Sequence, residues 1–166
     1  MLKVIRSFRN IPFQKLMTVY AEALQDNGKE LYPQLAQEEQ LIEAEQDFYN
    51  FLRAFFDKDG SIYCIWEEND RFISALRLEL YEDGVLLEAL ETAADYRRQG
   101  YATLLMYAVI EFAKEQGIKK IYSHVHRNNV PSIMFHNKTG FVVISNYARY
   151  IDGSVSHQCN TFLLLL

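Results

Sequence analysis

The sequence predicts an α+β fold: a mixed, mostly antiparallel central sheet of about seven strands flanked by four helices. Three observations predict it. Residues 61–90 hold three apolar strand runs separated by Glu68-Asn69-Asp70 and Glu82-Asp83-Gly84, the pattern of an antiparallel meander with short turns. The third run passes through a tight turn into a long helix and then into another strand, a βαβ crossover whose two strands become parallel neighbours. Two more runs, Phe141–Ile151 and His157–Leu166, close the chain as a hairpin across Asp152-Gly153.

The elements follow in order. Leu2–Arg6 is a short strand. Ile11–Leu24 reads as one helix, with Pro12 in its first turn and Gly28 beyond its end. Glu38–Phe56 is a second helix with a wide apolar face of Leu41, Ile42, Phe48, Phe51, Leu52, Phe55 and Phe56. Its acids, Glu38, Glu39, Glu43, Glu45 and Asp47, are a solvated face or an acidic lip over an amine-binding cleft. Ser61–Glu67, Arg71–Leu80 and Val85–Leu90 are the meander. The long helix carries Tyr101, Leu104, Leu105, Ala108, Val109 and Phe112 at i, i+3, i+4, i+7, i+8 and i+11, and Gly117 stops it. Lys120–Val125 is a fifth strand, and Asn129–Lys138 a short helix that tolerates Pro131 in its first turn.

Composition bounds the function. The 166 residues read as a single domain spanning 1–166. A net charge of -5 and the lack of a basic stripe argue against a nucleic-acid partner, and an acidic protein suits an amine substrate. No run approaches the ~20 apolar residues of a membrane span, and the N-terminus lacks a signal-peptide core. Cys64 and Cys159 form neither a disulfide framework nor a metal spacing, and read as small buried hydrophobes in a reducing, cytoplasmic compartment.

The stretch that carries chemistry is the turn Arg97-Arg98-Gln99-Gly100-Tyr101-Ala102. The first N–H groups of the helix that follows have no intrahelical partners and carry about half a positive charge between them. Gly100 has no Cβ, so an anion can approach the backbone closely, and the two arginines add charge. The absence of a Gly-Lys-Ser/Thr sequence speaks against a nucleoside-triphosphate loop.

Arg97-x-x-Gly100-x-Ala102 resembles the (Gln/Arg)-x-x-Gly-x-(Gly/Ala) signature of the GNAT N-acetyltransferase superfamily. Downstream, Asn129-x-x-Ser132-x-x-Phe135-His136-x-Lys138-x-Gly140-Phe141 resembles that family's second signature. The likeness covers Val85 to about Tyr150 and keeps the family's order of helix and strand between the motifs. It implies a GNAT-like sheet whose fourth and fifth strands splay apart around acetyl-CoA, used as co-substrate for direct acetyl transfer to an amine. It also implies that Arg97, Arg98, Gln99, Gly100, Tyr101, Ala102 and Thr103 hold the pyrophosphate. Leu90, Glu91 and Thr92 would offer backbone groups to the pantetheine and thioester, and Asn129 would contact the pantetheine or cap its helix.

Three residues are candidates for proton transfer, and Glu91, at the edge of the first motif, ranks behind them as a charge carried into the cleft. Glu88 interrupts an apolar strand and resembles a relay glutamate of some polyamine-acetylating relatives; the other reading is a partner for Arg77 on the neighbouring strand. His124 lies on the fifth strand where other relatives carry a catalytic glutamate, and is otherwise a satisfied sheet histidine. His136 falls where many members carry a tyrosine proposed to protonate the thiolate. That departure leaves a second reading open, a non-catalytic acyl-CoA-binding or regulatory module. The acceptor, a small-molecule or protein amine, is set by segments where the resemblance is thin. The long C-terminal strand is a possible surface for a homodimer.

Overall fold

The computed structural model describes all 166 residues. Seven strands form one sheet in the order β1-β2-β3-β4-β5-β9-β6, and a separate two-stranded ribbon pairs β7 with β8. The strands are β1 (Leu2–Ile5), β2 (Ile62–Glu68), β3 (Arg71–Tyr81), β4 (Gly84–Thr92), β5 (Lys120–His126), β6 (Val142–Ser145), β7 (Ala148–Arg149), β8 (Val155–Ser156) and β9 (Cys159–Leu165). The helices are α1 (Phe13–Val19), α2 (Ala21–Leu31), α3 (Gln37–Phe56), α4 (Tyr101–Glu115) and α5 (Val130–Lys138). The meander β2-β3-β4 is antiparallel, and β4 runs parallel to β5, as the crossover requires.

Each face of the sheet buries its own core. On one face, Leu76, Leu78, Val85, Leu87, Ile121, Val125 and Phe162 pack against α4. On the other, Tyr63, Ile65, Phe72 and Ala75 pack against α1, α2 and α3 through Leu16, Leu24, Leu52 and Phe55. The first face buries Leu105, Met106, Val109, Ile110 and Ala113 of α4. Each of its large side chains contributes about 1.5–3 kcal/mol of transfer free energy. This stripe sits about one residue further along than the expected one, and Leu104 is 45% exposed. The helix is apolar nearly all round, so the sheet decides its phase.

Three expectations change. The helix expected over Ile11–Leu24 is two helices, because Tyr20 leaves helical geometry (φ -98°, ψ 11°) and turns the chain into α2. Five helices therefore flank the sheet instead of four. Gly28 does not stop a helix; it lies inside α2, where a Cβ would meet the Gln40 carbonyl oxygen at 2.6 Å, so it allows α2 and α3 to approach closely. The C-terminal hairpin forms, with β6 and β7 pairing antiparallel to β9 and β8 about Asp152-Gly153, but its last strand is not a free edge: β9 pairs with β5 on one side and β6 on the other. Both edges of β9 are filled, so it cannot add a second copy; the free sheet edges are β1 and β6.

Candidate active site

The site begins where β4 and β5 part. They pair only at Val85↔Ile121, Leu86↔Tyr122 and Leu87↔Ser123, while β4 runs on to Thr92 beside β3. Beyond Leu87 the edge of β4 that faced β5 has no ladder, so its backbone groups are open to a ligand. The β3–β4 register changes there as well. Arg77 opposes Glu88 and Ala75 opposes Glu91, so two steps along β3 match three along β4. The extra residue is a β-bulge at Ala89, whose φ is +51°.

Side chains hold this bulge. Tyr20 Oη donates to the Ala89 carbonyl at 2.7 Å, and Tyr63 Oη donates to Tyr20 Oη at 3.1 Å. Burial raises the pKa of both phenols, so both keep their protons. A trans peptide points its C=O and N–H in opposite directions. The Leu90 N–H therefore points away from Tyr20.

A cleft of about 1160 Å³ opens at the parting. Of the residues expected to hold the cofactor, all but Gln99 lie on its wall: Leu90, Glu91 and Thr92 from β4, Arg97, Arg98, Gly100, Tyr101, Ala102 and Thr103 from the turn and α4, and Asn129 at α5. Gln99 turns back to the Asp95 carbonyl. Gly100 caps α4 at φ +90°. Leu104 N–H closes the first helical turn onto the Gly100 carbonyl, so the amides of Tyr101, Ala102 and Thr103 precede the helical ladder. Unpaired amides at a helix N-terminus are the chemistry that suits an anion. Asn129 caps α5, its side chain accepting from Ser132 N–H at 3.1 Å. Arg97 reaches Glu22 of α2 at 2.5 Å and Glu91 at 3.6 Å, tying α2 to the turn.

The proton-transfer candidates lie on two different faces. Glu88 sits on the α3 face, with Arg77 Nη2 at 2.9 Å and Nε at 3.2 Å, both on Oε2. The Arg77 guanidinium also covers the Phe51 ring, 4.5 Å from its centroid. His124 is wedged between the rings of Tyr81 and Tyr150, and neither ring nitrogen has a hydrogen-bond partner. Burial lowers its pKa, and the Glu88 charge partly offsets this. His136 is only 3% exposed on the opposite face, against Phe141 and Phe162. Its Nδ1 meets the Ser132 carbonyl at 2.8 Å and its Nε2 the Ser123 hydroxyl at 2.9 Å. A carbonyl only accepts, so Nδ1 carries the proton and Nε2 accepts from Ser123. Burial lowers this pKa too. None of the three lines the cleft wall.

A second cavity, about 360 Å³, was not anticipated from the sequence. It lies between α2, α3 and the bulge, and Glu91 lines both it and the cleft. Burial raises the pKa of Glu91, and Arg97 opposes the shift. No cluster of three or more His, Cys, Asp or Glu side chains is arranged to hold a metal ion, and no helix is long and apolar enough to cross a membrane.

The sheet is thus parted at a parallel strand pair, with an open helix N-terminus at the parting. The chain belongs to the acetyltransferase (GNAT) family, whose model matches residues 18–141. Two of the solved structures that share the fold illustrate the likeness. An acetyltransferase from Streptococcus agalactiae superposes with a TM-score of 0.67 at 17% identity, over 99% of this chain and 98% of that one. The PaiA N-acetyltransferase from Thermoplasma acidophilum, in complex with coenzyme A, gives 0.64 at 15% identity, over 100% and 99%. In sequence, GCN5-related N-acetyltransferase 6, chloroplastic, from Arabidopsis thaliana is 36% identical over 52 residues, a stretch spanning 31% of this chain and 18% of that protein.

Proposed function

We propose that this protein, acting as one unit over residues 1–166, transfers the acetyl group of acetyl-CoA to a primary amine by direct attack. The observation that carries the reading is the cleft, where the open amides of Tyr101, Ala102 and Thr103, Gly100 and the free edge of β4 lie along one continuous wall. The pyrophosphate would sit on the α4 amides, and the pantetheine would complete the interrupted ladder along Leu90–Thr92. The amine lone pair forms the C–N bond at the thioester carbonyl, the C–S bond breaks, and the electron pair leaves on sulfur. A backbone N–H such as that of Leu90, aimed by the Tyr20 bond to Ala89, would stabilise the developing oxyanion.

The ammonium must first lose a proton. The carboxylates available near the parting are Glu88, with its Oε2 taken by Arg77, and Glu91. His124 beside Glu88 is a further acceptor, because its lowered pKa leaves it neutral at pH 7. His136 keeps its proton on Nδ1 toward Ser132, so a role for it in protonating sulfur needs Ser123 or a rearrangement of α5. Direct attack fits the two cysteines, since neither Cys64 nor Cys159 lines the cleft.

The test is acetyl-CoA binding by calorimetry, followed by thiol release against an amine panel. Binding with turnover supports the reading. Binding without turnover on any amine favours the non-catalytic acyl-CoA-binding module, and absence of binding rejects both.

A further inference from the structure

The geometry points to the cavity between α2 and α3 as the acceptor site, taking a small primary amine on an apolar, ring-sized body with Glu91 receiving the ammonium proton. This rests on the acetyl-transfer reading and names its substrate class.

The cavity has the size and lining of a small-molecule site: about 360 Å³, mostly apolar, with few polar groups. Its walls are Tyr20, Leu24, Ala44, Phe48 and Phe51. Phe48 and Phe51 lie nearly parallel, 5° apart in plane, and Tyr20 tilts against Phe48 at 5.3 Å. Aromatic walls of this kind favour an aryl or alkyl body. The charges in the lining sort by position. Arg77 is neutralised by Glu88 and covered by Phe51. Asp47 is exposed at the mouth, where Tyr32 Oη donates to it and water screens it. Glu91, half-buried at the inner end, lies where the cavity and the cofactor cleft meet, with Arg97 Nη2 3.6 Å from its Oε2 on the cleft side. An ammonium seated deep in this cavity therefore meets one carboxylate, placed beside the strand that would carry the thioester. A polyamine would need desolvated carboxylates along its length, whereas here the second one, Asp47, stands in water at the mouth and already accepts from Tyr32.

Glu91 reaches this place because of the bulge. Arg77 and Ala75 share a face of β3, so their partners Glu88 and Glu91 share a face of β4, although they are three residues apart. In the reaction the ammonium proton moves to the Glu91 carboxylate and the neutral amine attacks the carbonyl. As the C–S bond breaks the electron pair leaves on sulfur, the new amide nitrogen sheds its extra proton to the thiolate, and Glu91 returns its own proton to water.

The experiment has two independent readouts. Calorimetry measures 2-phenylethylamine binding to the cofactor-free protein and to Ala23→Phe, which fills the cavity from α2. Thiol release from acetyl-CoA is followed with 2-phenylethylamine, spermidine and a short peptide bearing a free N-terminus. The aryl amine is expected to exceed the other two in kcat/KM by at least about tenfold. Ala23→Phe is expected to weaken amine binding and raise its KM by at least about tenfold, with the acetyl-CoA Kd within about twofold of wild type. Asn27→Trp, which narrows the exposed mouth, replaces Ala23→Phe if that variant does not fold. Glu91→Gln should lower kcat by about a hundredfold and remove the acidic limb of its pH profile.

Preference for spermidine or the peptide, or an unblocked aryl amine in the filled variants, overturns the assignment of the cavity. Full kcat in Glu91→Gln overturns the role of Glu91. If acetyl-CoA fails to bind while 2-phenylethylamine binds and the filled variants block it, the acetyl-transfer reading falls and the amine site stands. If acetyl-CoA binds and 2-phenylethylamine neither binds nor reacts, the amine site falls alone.

Discussion

Gly100 separates a structural from a binding role, because a second glycine provides its control. Gly100 has φ +90° and Gly117 has φ +73°, and a Cβ built on either meets nothing within 4 Å. Alanine at either position therefore suffers backbone strain without a clash. Left-handed geometry costs an L-residue about 1–2 kcal/mol. For a chain of this size that lowers Tm by about 2–8 °C. The positions differ in one respect: Gly100 lies on the cleft wall at the α4 N-terminus, and Gly117 ends the same helix at its far end. A methyl group on Gly100 would hold a phosphate off the Tyr101–Thr103 amides. Losing one charge-assisted hydrogen bond, about 1.5–3 kcal/mol, weakens binding by about tenfold to a hundredfold. The assay is a thermal melt and acetyl-CoA calorimetry on Gly100→Ala and Gly117→Ala in parallel. Similar Tm losses with weakened binding in Gly100→Ala alone are expected. A folded Gly100→Ala that binds acetyl-CoA as tightly as Gly117→Ala would refute the placement of the pyrophosphate.

Other outcomes follow from single contacts. Glu22→Gln removes a half-exposed partner of Arg97; such a pair is worth about 0.2–1 kcal/mol, so releasing the arginine should tighten acetyl-CoA binding by at most about fivefold, and weaker binding by calorimetry would mean Glu22 helps hold the cofactor. Gly28→Ala gains about 1 kcal/mol of helix propensity. Its Cβ would stand 2.6 Å from a backbone oxygen of α3, though, and overpacking costs about 1–3 kcal/mol, so Tm should fall; a raised Tm would show that α2 shifts freely. Tyr20→Phe leaves the Ala89 carbonyl without its donor. It should cost about 1–3 kcal/mol of stability and lower kcat while acetyl-CoA affinity holds, and unchanged kcat would separate the bulge from catalysis. His124 and His136 both have folded pKa values below the unfolded value of about 6.5. Below that pH the unfolded chain binds protons that the folded one refuses. Stability is full above about 6.5 and falls as pH drops toward the folded values, each histidine adding a slope of at most about 1.4 kcal/mol per pH unit. Melts at pH 7.5 and 5.5 should show the drop, with a smaller one in His136→Gln; equal drops would mean His136 titrates normally.

The sheet was legible because its signals are local. Alternation and tight turns mark β2, β3 and β4, and Gly117 with the Asn129 cap brackets β5. What escaped the sequence depends on distant partners. The break at Tyr20 carries neither Gly nor Pro; it holds because the phenol reaches Ala89 and Tyr63 across the sheet. Gly28 looks like a helix stop until α3 is seen to need its missing Cβ. The last segment reads as a hairpin because Asp-Gly is a strong turn signal, and that pairing forms, but the turn gives no sign that β9 also finds a ladder on β5 and so has both edges filled.

The site divides along the same line. The cleft wall rests largely on contiguous residues around one turn, and the residues that the resemblance pointed to line it, Gln99 excepted. The proton chemistry rests on strand parity, and one inserted residue reverses parity. A regular β4 would put Glu88 and Glu91 on opposite faces, which makes Glu88 the natural carboxylate for the α3 side and Glu91 an edge residue. With the bulge at Ala89 they share that face: Arg77 takes Glu88, and Glu91 stands between the two cavities. The one local trace of this is weak, an alanine at positive φ that no propensity predicts. Its cost is met by Tyr20, which lies 69 residues earlier in the chain. The residue that makes Glu91 available to an acceptor is thus the same one that breaks the N-terminal helix, and neither effect is visible without the other.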